Sequence, residues 1–358
     1  MLRFLMKTLL TLLIIAVVIA AVVVIFTSQT KFGRLPEGER QQRIEKSVFF
    51  KEGILENETP TKIGGDESKF SLMWKFLTAE KSDRLKPQEN EIELVISNLK
   101  KLPKDQDCYV WFGHSSFLLQ LDGKVILVDP VFYDASPVSF VNKPFPGTDI
   151  YKPSMMPDSI DYLVISHDHW DHLDYQTVTE LRDRIGKVVC PLGMGEDFEC
   201  WGFSADKLIE LDCNESANDG DMVFRCLPTR HFSGRGLRSM RTQRASWLVK
   251  APTRTVFYSG DGGYSDRFYR FGKQHPDIDL AIMENGQYNE QWNQIHTMPY
   301  QLGEEVRALN PKRFVTVHHS KYALARHAWD EPRRNEQQAA QESGIPLIVA
   351  KIGEIVKL

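Results

Sequence analysis

The apolar run Tyr162–Ile165 breaks directly into Ser166-His167-Asp168-His169-Trp170-Asp171-His172. Four side chains of metal-ligand type, His167, His169, Asp171 and His172, therefore fall within six residues at the end of what reads as a buried strand. A core has little use for such a cluster, because every buried imidazole and carboxylate needs a partner. In a loop leaving a strand, His167 and His169 can point the same way while Asp171 and His172 turn onto the start of the next helix. One loop can thus feed two neighbouring ions. Histidine nitrogen with carboxylate oxygen suits Zn²⁺, and also Mn²⁺ or Fe²⁺.

Three further strand ends repeat the signal. His231 follows the apolar run Met222–Leu227, Asp261 follows Thr255–Tyr258, and His318 follows Phe314–Val317. In α/β folds, sites gather at the carboxyl ends of strands. Around these runs, Tyr109–Phe112, Phe117–Leu121, Val125–Val128, Lys187–Cys190, Lys207–Leu211, Ala245–Lys250 and Leu280–Met283 also read as strands, with Asp122-Gly123 as a hairpin turn. Helical spacing predicts helices over Thr177–Ile185, Met298–Leu309 and Glu331–Glu342, and a last strand is expected over Pro346–Ile352. Strands interrupted by helices predict a layered α/β domain over residues 105–358. The formal charge of −4 gives no reason to expect nucleic acid as a partner. The five cysteines form no C-x-x-C pair and are not expected as ligands, and Cys190 and Cys226, in apolar runs, read as buried apolar residues.

The N-terminus carries a different constraint. Leu9–Phe26 is an apolar run broken only by Thr11, and as a helix it spans about 27 Å, close to a bilayer core. It is longer than a signal peptide's apolar region and ends in Val22-Val23-Val24-Ile25-Phe26, a poor cleavage context. Residues 1–27 therefore read as a single-pass transmembrane anchor. Arg3 and Lys7 favour an inside N-terminus, with the rest of the chain outside the cytoplasm. Residues 28–104 read as a stalk and N-terminal extension packing on the catalytic domain. It has turns at Pro36, Gly38, Gly53, Gly64 and Gly65, one short helix near Gln41–Phe50, and helix-like pieces at Ser71–Leu77 and Glu91–Leu102.

The order His-x-His-x-Asp-His, then His, then Gly-Asp, then His resembles the metallo-β-lactamase superfamily, whose fold is an αββα sandwich. Trp111-Phe112-Gly113-His114-Ser115-Ser116-Phe117, Val128-Asp129-Pro130 and His318-His319-Ser320-Lys321-Tyr322-Ala323-Leu324-Ala325 are similar to the branch containing N-acylphosphatidylethanolamine-hydrolysing phospholipase D and its bacterial relatives. The resemblance implies one zinc on His167, His169 and His231, a second on Asp171, His172 and His318, and Asp261 between them. It implies a metal-activated water as nucleophile, with Asp171 in the catalytic set, and a lipid or other amphiphilic phosphodiester as substrate. A histidine at 169, where the di-iron oxygen-reducing branch would carry Glu, implies hydrolysis. Asp rather than Cys at 261 speaks against a true β-lactamase.

Other residues have two readings each. His296 resembles the histidine that the phospholipase relatives carry near their reaction centre and could protonate a leaving group, or it simply starts a helix. His114 and Asp129 sit in turns that the resemblance places beside the site. Asp129 either orients a metal-bound histidine or is a plain turn residue. His319 should face away from His318, since neighbours on a strand alternate. His275 and His327 read as surface residues. Arg235, Arg238, Arg241 and Arg244 recur every third residue, either to grip a phosphate headgroup, Arg235 above all, or as a solvated face. A lactonase or other ester hydrolase is the rival activity, a non-catalytic membrane scaffold the rival class, and a homodimer an open assembly.

Overall fold

The computed structural model describes residues 1–62, 71, 74, 75, 78, 80–237 and 239–358. Gly64, Gly65, most of the Ser71–Leu77 piece and Arg238 lie outside the described residues. The chain opens with helix α1 (Leu2–Thr27) and a short helix α2 (Gly38–Glu45), followed by the small ladder β1 (Phe50–Lys51) and β2 (Ile54–Leu55). The first large sheet contains β3 (Cys108–Trp111), β4 (Phe117–Leu121), β5 (Lys124–Val128), β6 (Ile160–Val164), β7 (Ile185–Pro191) and β8 (Leu208–Leu211). The second contains β9 (Ser216–Asp219), β10 (Met222–Pro228), β11 (Ala245–Lys250), β12 (Thr255–Tyr258), β13 (Leu280–Glu284) and β14 (Phe314–Val317). The last strand, β15 (Ile355–Lys357), returns to the first sheet beside β3.

The spatial orders are β15-β3-β4-β5-β6-β7-β8 and β14-β13-β12-β11-β10-β9. β5 to β8 are parallel, as are β12 to β14, and the other pairs are antiparallel. Parallel neighbours need crossovers. Helices α3 (Tyr175–Leu181) and α4 (Gly195–Cys200) connect β6 to β7 and β7 to β8, while α5 (Arg267–Gln274) and α6 (Pro299–Leu309) serve the second sheet. Period-two alternation sorts the core into layers. Trp247, Val249, Val256 and Tyr258 join the main core with the first sheet, whereas Leu248, Phe257 and Ala281 turn outward onto α5, α6 and α7 (Glu331–Ser343). Across the gap between the sheets Phe117 meets Tyr258 and Tyr162 meets Phe224, at ring separations of 5.1 and 4.7 Å. The fold is an αββα sandwich with an apolar helix at its N-terminus.

Strand direction decides where the chemistry collects. β3, β5 and β6 run the same way in the first sheet, and β10, β12, β13 and β14 share a direction in the second. The carboxyl ends of these strands carry His114, Asp129 and His167 on one sheet and His231, Asp261, Glu284 and His318 on the other. Trp247 Nε1 donates to Ile165 O at 2.9 Å and Ala245 N to Ser166 O at 2.9 Å, joining the sheets at this rim.

Two expected elements differ. Glu91–Leu102 is not an α-helix: apart from a 3-10 turn at Leu99–Lys101 it runs extended, with Val95 N donating to Ile352 O at 2.8 Å. Pro346–Ile352 is no continuous strand either. Leu347 bridges to Phe314 on the second sheet and Ile352 to Trp111 on the first, so this stretch spans the open side of the sandwich.

Candidate metal centre

Three imidazoles converge on one point. His169 Nδ1 lies 2.9 Å from His167 Nε2 and 3.2 Å from His231 Nε2. Burial, together with neighbouring imidazoles, holds His167 and His231 well below the ordinary histidine pKa, and burial pushes His169 down to about 3. Neutral rings leave lone pairs, and His231 shows which nitrogen is free: its Nδ1 donates to Ile295 O at 2.8 Å, so Nε2 faces inward. Tetrahedral zinc–nitrogen bonds of about 2.0–2.1 Å require nitrogens ~3.3 Å apart, close to the spacing seen.

The second cluster is more acidic. Asp171 Oδ2 lies 2.9 Å from His114 Nε2, 3.4 Å from His318 Nε2 and 3.6 Å from His172 Nε2. Asp261 Oδ2 stands between the clusters, 3.1 Å from both His172 Nε2 and His318 Nε2 and 4.0 Å from His167 Nε2 and His231 Nε2. Burial opposes charge on His172, but Asp261, Asp171 and Asp129 outweigh it and hold the ring well above its ordinary pKa. The same contest, decided by Asp261, Asp171 and Glu284, lifts His318 to about 10. Burial also opposes ionisation of Asp171, yet His172, His114 and His318 hold it far below the carboxylate range. Asp261 Oδ1 is buried with no hydrogen-bond partner among the described residues, and His172 Nε2 has only the 3.1 Å ion-pair approach of Asp261 Oδ2. Such orphaned donors and acceptors fit a pair of divalent ions.

Supporting contacts fix the rings. Asp129 accepts from His172 Nδ1 at 2.8 Å, Ser166 N at 2.8 Å, Ser166 Oγ at 2.5 Å and Tyr258 OH at 2.7 Å, so it orients a ring of the site and is no plain turn residue. His114, Asp129, His318 and Ser320 all have positive φ, a cost that clusters here. His114 and His318 are stitched together, with His318 N donating to His114 O at 3.0 Å and His114 N to His319 O at 2.8 Å. Gly260 also has positive φ, and a Cβ there would meet Ala245 O at 2.4 Å, so only glycine lets Asp261 approach the rim. His319 turns away to Thr316 Oγ1 at 3.1 Å and Ser320 Oγ at 2.8 Å.

His296 hydrogen-bonds Glu284 Oε1 through Nδ1, and its ring stacks on His318 at 5.3 Å. Sequence reasoning missed Glu284, although it ends β13 in the same sheet as the strands before Asp261 and His318. It also missed Gln287, whose backbone has positive φ and whose side chain bonds Tyr322 O, Leu324 N and Ala325 N. His327 is no surface residue: it stacks on Tyr288 and accepts from Gln287 N at 2.9 Å. A cavity of about 300 Å³ opens over the cluster, with Phe232, Trp292, Ile295 and Leu324 as an apolar wall facing His169, Asp171, Asp261 and His296.

The expectation that Arg235 meets substrate is corrected. Its guanidinium is buried, stacks over Trp170 at 4.0 Å and donates to Asp168 O, Leu173 O and, twice, Lys31 O. Arg241 donates to Gly53 O, and Arg244 to Leu55 O and Asn57 Oδ1. The described arginines of the series grip the chain's own N-terminal extension.

These features gather groups of His, Asp and Glu side chains that could hold metal ions at the rim of a four-layer sandwich. A family profile described as the β-lactamase superfamily domain matches residues 124–319, and the chain belongs to the metallo-β-lactamase superfamily. An uncharacterised protein of Mycobacterium tuberculosis is 33% identical over 322 residues, 87% of this chain and 85% of that one. N-acyl-phosphatidylethanolamine-hydrolyzing phospholipase D 1 of Caenorhabditis elegans is 31% identical over 233 residues, 60% of this chain and 64% of that one. Among solved structures, the metallo hydrolase Igni18 of Ignicoccus hospitalis shares the fold with a TM-score of 0.54 at 19% identity, covering 71% of this chain and 98% of that one.

Proposed function

We propose that this chain is a two-zinc phosphodiesterase acting on N-acylphosphatidylethanolamine or a related amphiphilic phosphodiester. The observation that carries the reading is the cavity: a polar floor of paired ligand clusters under an apolar wall, which suits a charged headgroup with an apolar neighbour. The likeness to the nematode phospholipase supports it. So does α1, whose segment Arg3–Thr27 is long and apolar enough to cross a membrane. In this reading α1 anchors the chain, with the catalytic domain outside the cytoplasm.

His167, His169 and His231 would hold one ion, and Asp171, His172 and His318 the other, with Asp261 shared. When bound, such ions lower the pKa of water towards neutrality and polarise phosphoryl oxygens. Asp129 and the Ile295 carbonyl keep His172 and His231 in the ligating tautomer. Glu284 holds Nδ1 of His296, leaving the other ring nitrogen to hand a proton to the leaving group. His114 donates from Nε2 to Asp171 and sets its orientation.

The test joins metal content to hydrolysis, using the detergent-solubilised full chain with bis(p-nitrophenyl) phosphate, an N-acylphosphatidylethanolamine and a lactone. About two ions per chain are expected. Phosphodiester turnover should accompany them and be lost in Asp171→Ala. Turnover of the lactone alone would transfer the reading to ester hydrolysis, for which the same cavity has room. Full ion content without any turnover would favour a scaffold. Failure to hold any ion after reconstitution would end the mechanism.

A further inference from the structure

The segment after α1 is fastened to the domain. Trp201 Nε1 donates to Thr30 O at 2.7 Å, Lys31 Nζ to Pro137 O at 2.7 Å, and Arg34 N to Asp197 Oδ1 at 2.8 Å, in addition to the Arg235 bonds to Lys31 O. Phe32 packs edge-on against Phe26 at 5.3 Å and Trp170 at 5.1 Å. Trp170 stands between His169 and Asp171. The end of α1 is thus part of the domain surface, one side-chain contact from the ligand loop. Among the described residues nothing buries the apolar helix, whose length and composition suit a bilayer. The surface around Thr27 then sits at the bilayer boundary.

Two loops expose apolar side chains at this place. The loop whose Pro137 is held by Lys31 carries Phe140 and Val141, 78% and 39% exposed. Leu237, 73% exposed, lines a cavity of about 320 Å³ together with Thr27 and Phe32. Its loop begins at Phe232, in the wall of the catalytic cavity. Scattered exposed apolar residues are ordinary. Two loops that both touch the exit of one apolar helix are a different matter, and exposed Lys143 and Arg34, the latter 3.8 Å from Glu196 in an ion pair, stand beside them.

We propose that Phe140, Val141 and Leu237 form a lipid-docking face that seats the catalytic domain on the bilayer crossed by α1. This rests on the reading of α1 as an anchor. The occupant is the membrane itself: apolar side chains enter the headgroup boundary as in an interfacial protein, while the cations meet phosphate. Substrate would then pass from the bilayer to the cavity without crossing bulk water.

The experiment uses the full chain in phosphatidylethanolamine–phosphatidylglycerol vesicles, with an environment-sensitive fluorophore on Phe140→Cys, Leu237→Cys or, on the remote exposed face of α7, Gln338→Cys. The background is Cys200→Ser, since the other cysteines are buried. Lipid-borne quencher should dim the labels at 140 and 237 and spare the one at 338. Equal quenching at all three, in a chain that floats with the vesicles, would overturn the face and leave the anchor standing. A chain that does not float would overturn both. The labels need no activity, so they decide the face even where no phosphodiester is cleaved. A Phe140→Asp/Leu237→Asp variant should lose about tenfold in hydrolysis of vesicle lipid and nothing on bis(p-nitrophenyl) phosphate. An equal loss on both substrates would count against the face.

Discussion

Two side chains near the centre make separable claims. His296, held by Glu284 and stacked on His318, is placed to move a proton without belonging to either three-residue ligand set. His296→Asn should lower kcat by about a hundredfold, the usual worth of a general acid. Ion content should stay unchanged; a change in KM alone would reduce the residue to part of the wall. Asp197 is buried beside Asp168, and burial with that neighbour pushes its carboxyl up to about 8 from an ordinary 3.8. The folded state therefore keeps a proton that the unfolded chain gives up. Asp197's contribution to stability is full below pH 3.8 and falls as pH rises towards 8. Asp197→Asn keeps an acceptor for Arg34 N and removes that decline. The variant should gain on the wild type as pH rises from 5 to 8, by up to about 4 kcal/mol at the upper end. Tm profiles against pH that stay parallel would refute it.

At the scale of elements, most of what was legible followed one rule. Apolar strands ending in His or Asp gave most of the rim, because side-chain period and strand-end chemistry are both local. Glu284 obeys that rule, yet no motif marks it, so it was passed over. The stretch Glu91–Leu102 has helical spacing but runs extended, because Ile352, far along the chain, supplies the partner for Val95. The arginines looked like headgroup ligands because their targets, backbone carbonyls of residues 31, 53 and 55, leave no trace in sequence. That clamp is itself testable. Arg235→Ala strips hydrogen bonds from three carbonyls, two of them on the ligand loop or just after it at Asp168 and Leu173. Buried acceptors left unpaired cost about 1–3 kcal/mol each. The variant should unfold several degrees earlier and expose residues 28–36 to protease. Arg235→Lys should not rescue it, since one ammonium cannot span the fork. Unchanged proteolysis would mean that the contacts of Thr30, Lys31 Nζ, Phe32 and Arg34 hold the segment without the Arg235 clamp.

The molecule as a whole consists of two sheets that meet at one rim, and the ligands are divided between them. His167, His169, Asp171 and His172 follow β6 of the first sheet; His231, Asp261 and His318 follow β10, β12 and β14 of the second. Each cluster draws on both sheets, so bound ions would fasten one half of the sandwich to the other. Without them, the acidic cluster leans on His172 and His318, whose pKa values are raised, and on the His114 bond to Asp171, while three imidazoles face one another at about 3 Å. A ligand that binds only the folded state stabilises it by about 4 kcal/mol at a thousandfold excess over Kd. For a chain of this size, a chelator should lower Tm on the order of 10 °C. The loss should be reversed by zinc. His231→Asn removes a second-sheet ligand and should bring the zinc-loaded Tm close to the stripped one, while moving the stripped Tm little. A chelated protein that gives up its ions with Tm unchanged would show that the sheets hold together without them, and that the centre serves chemistry alone.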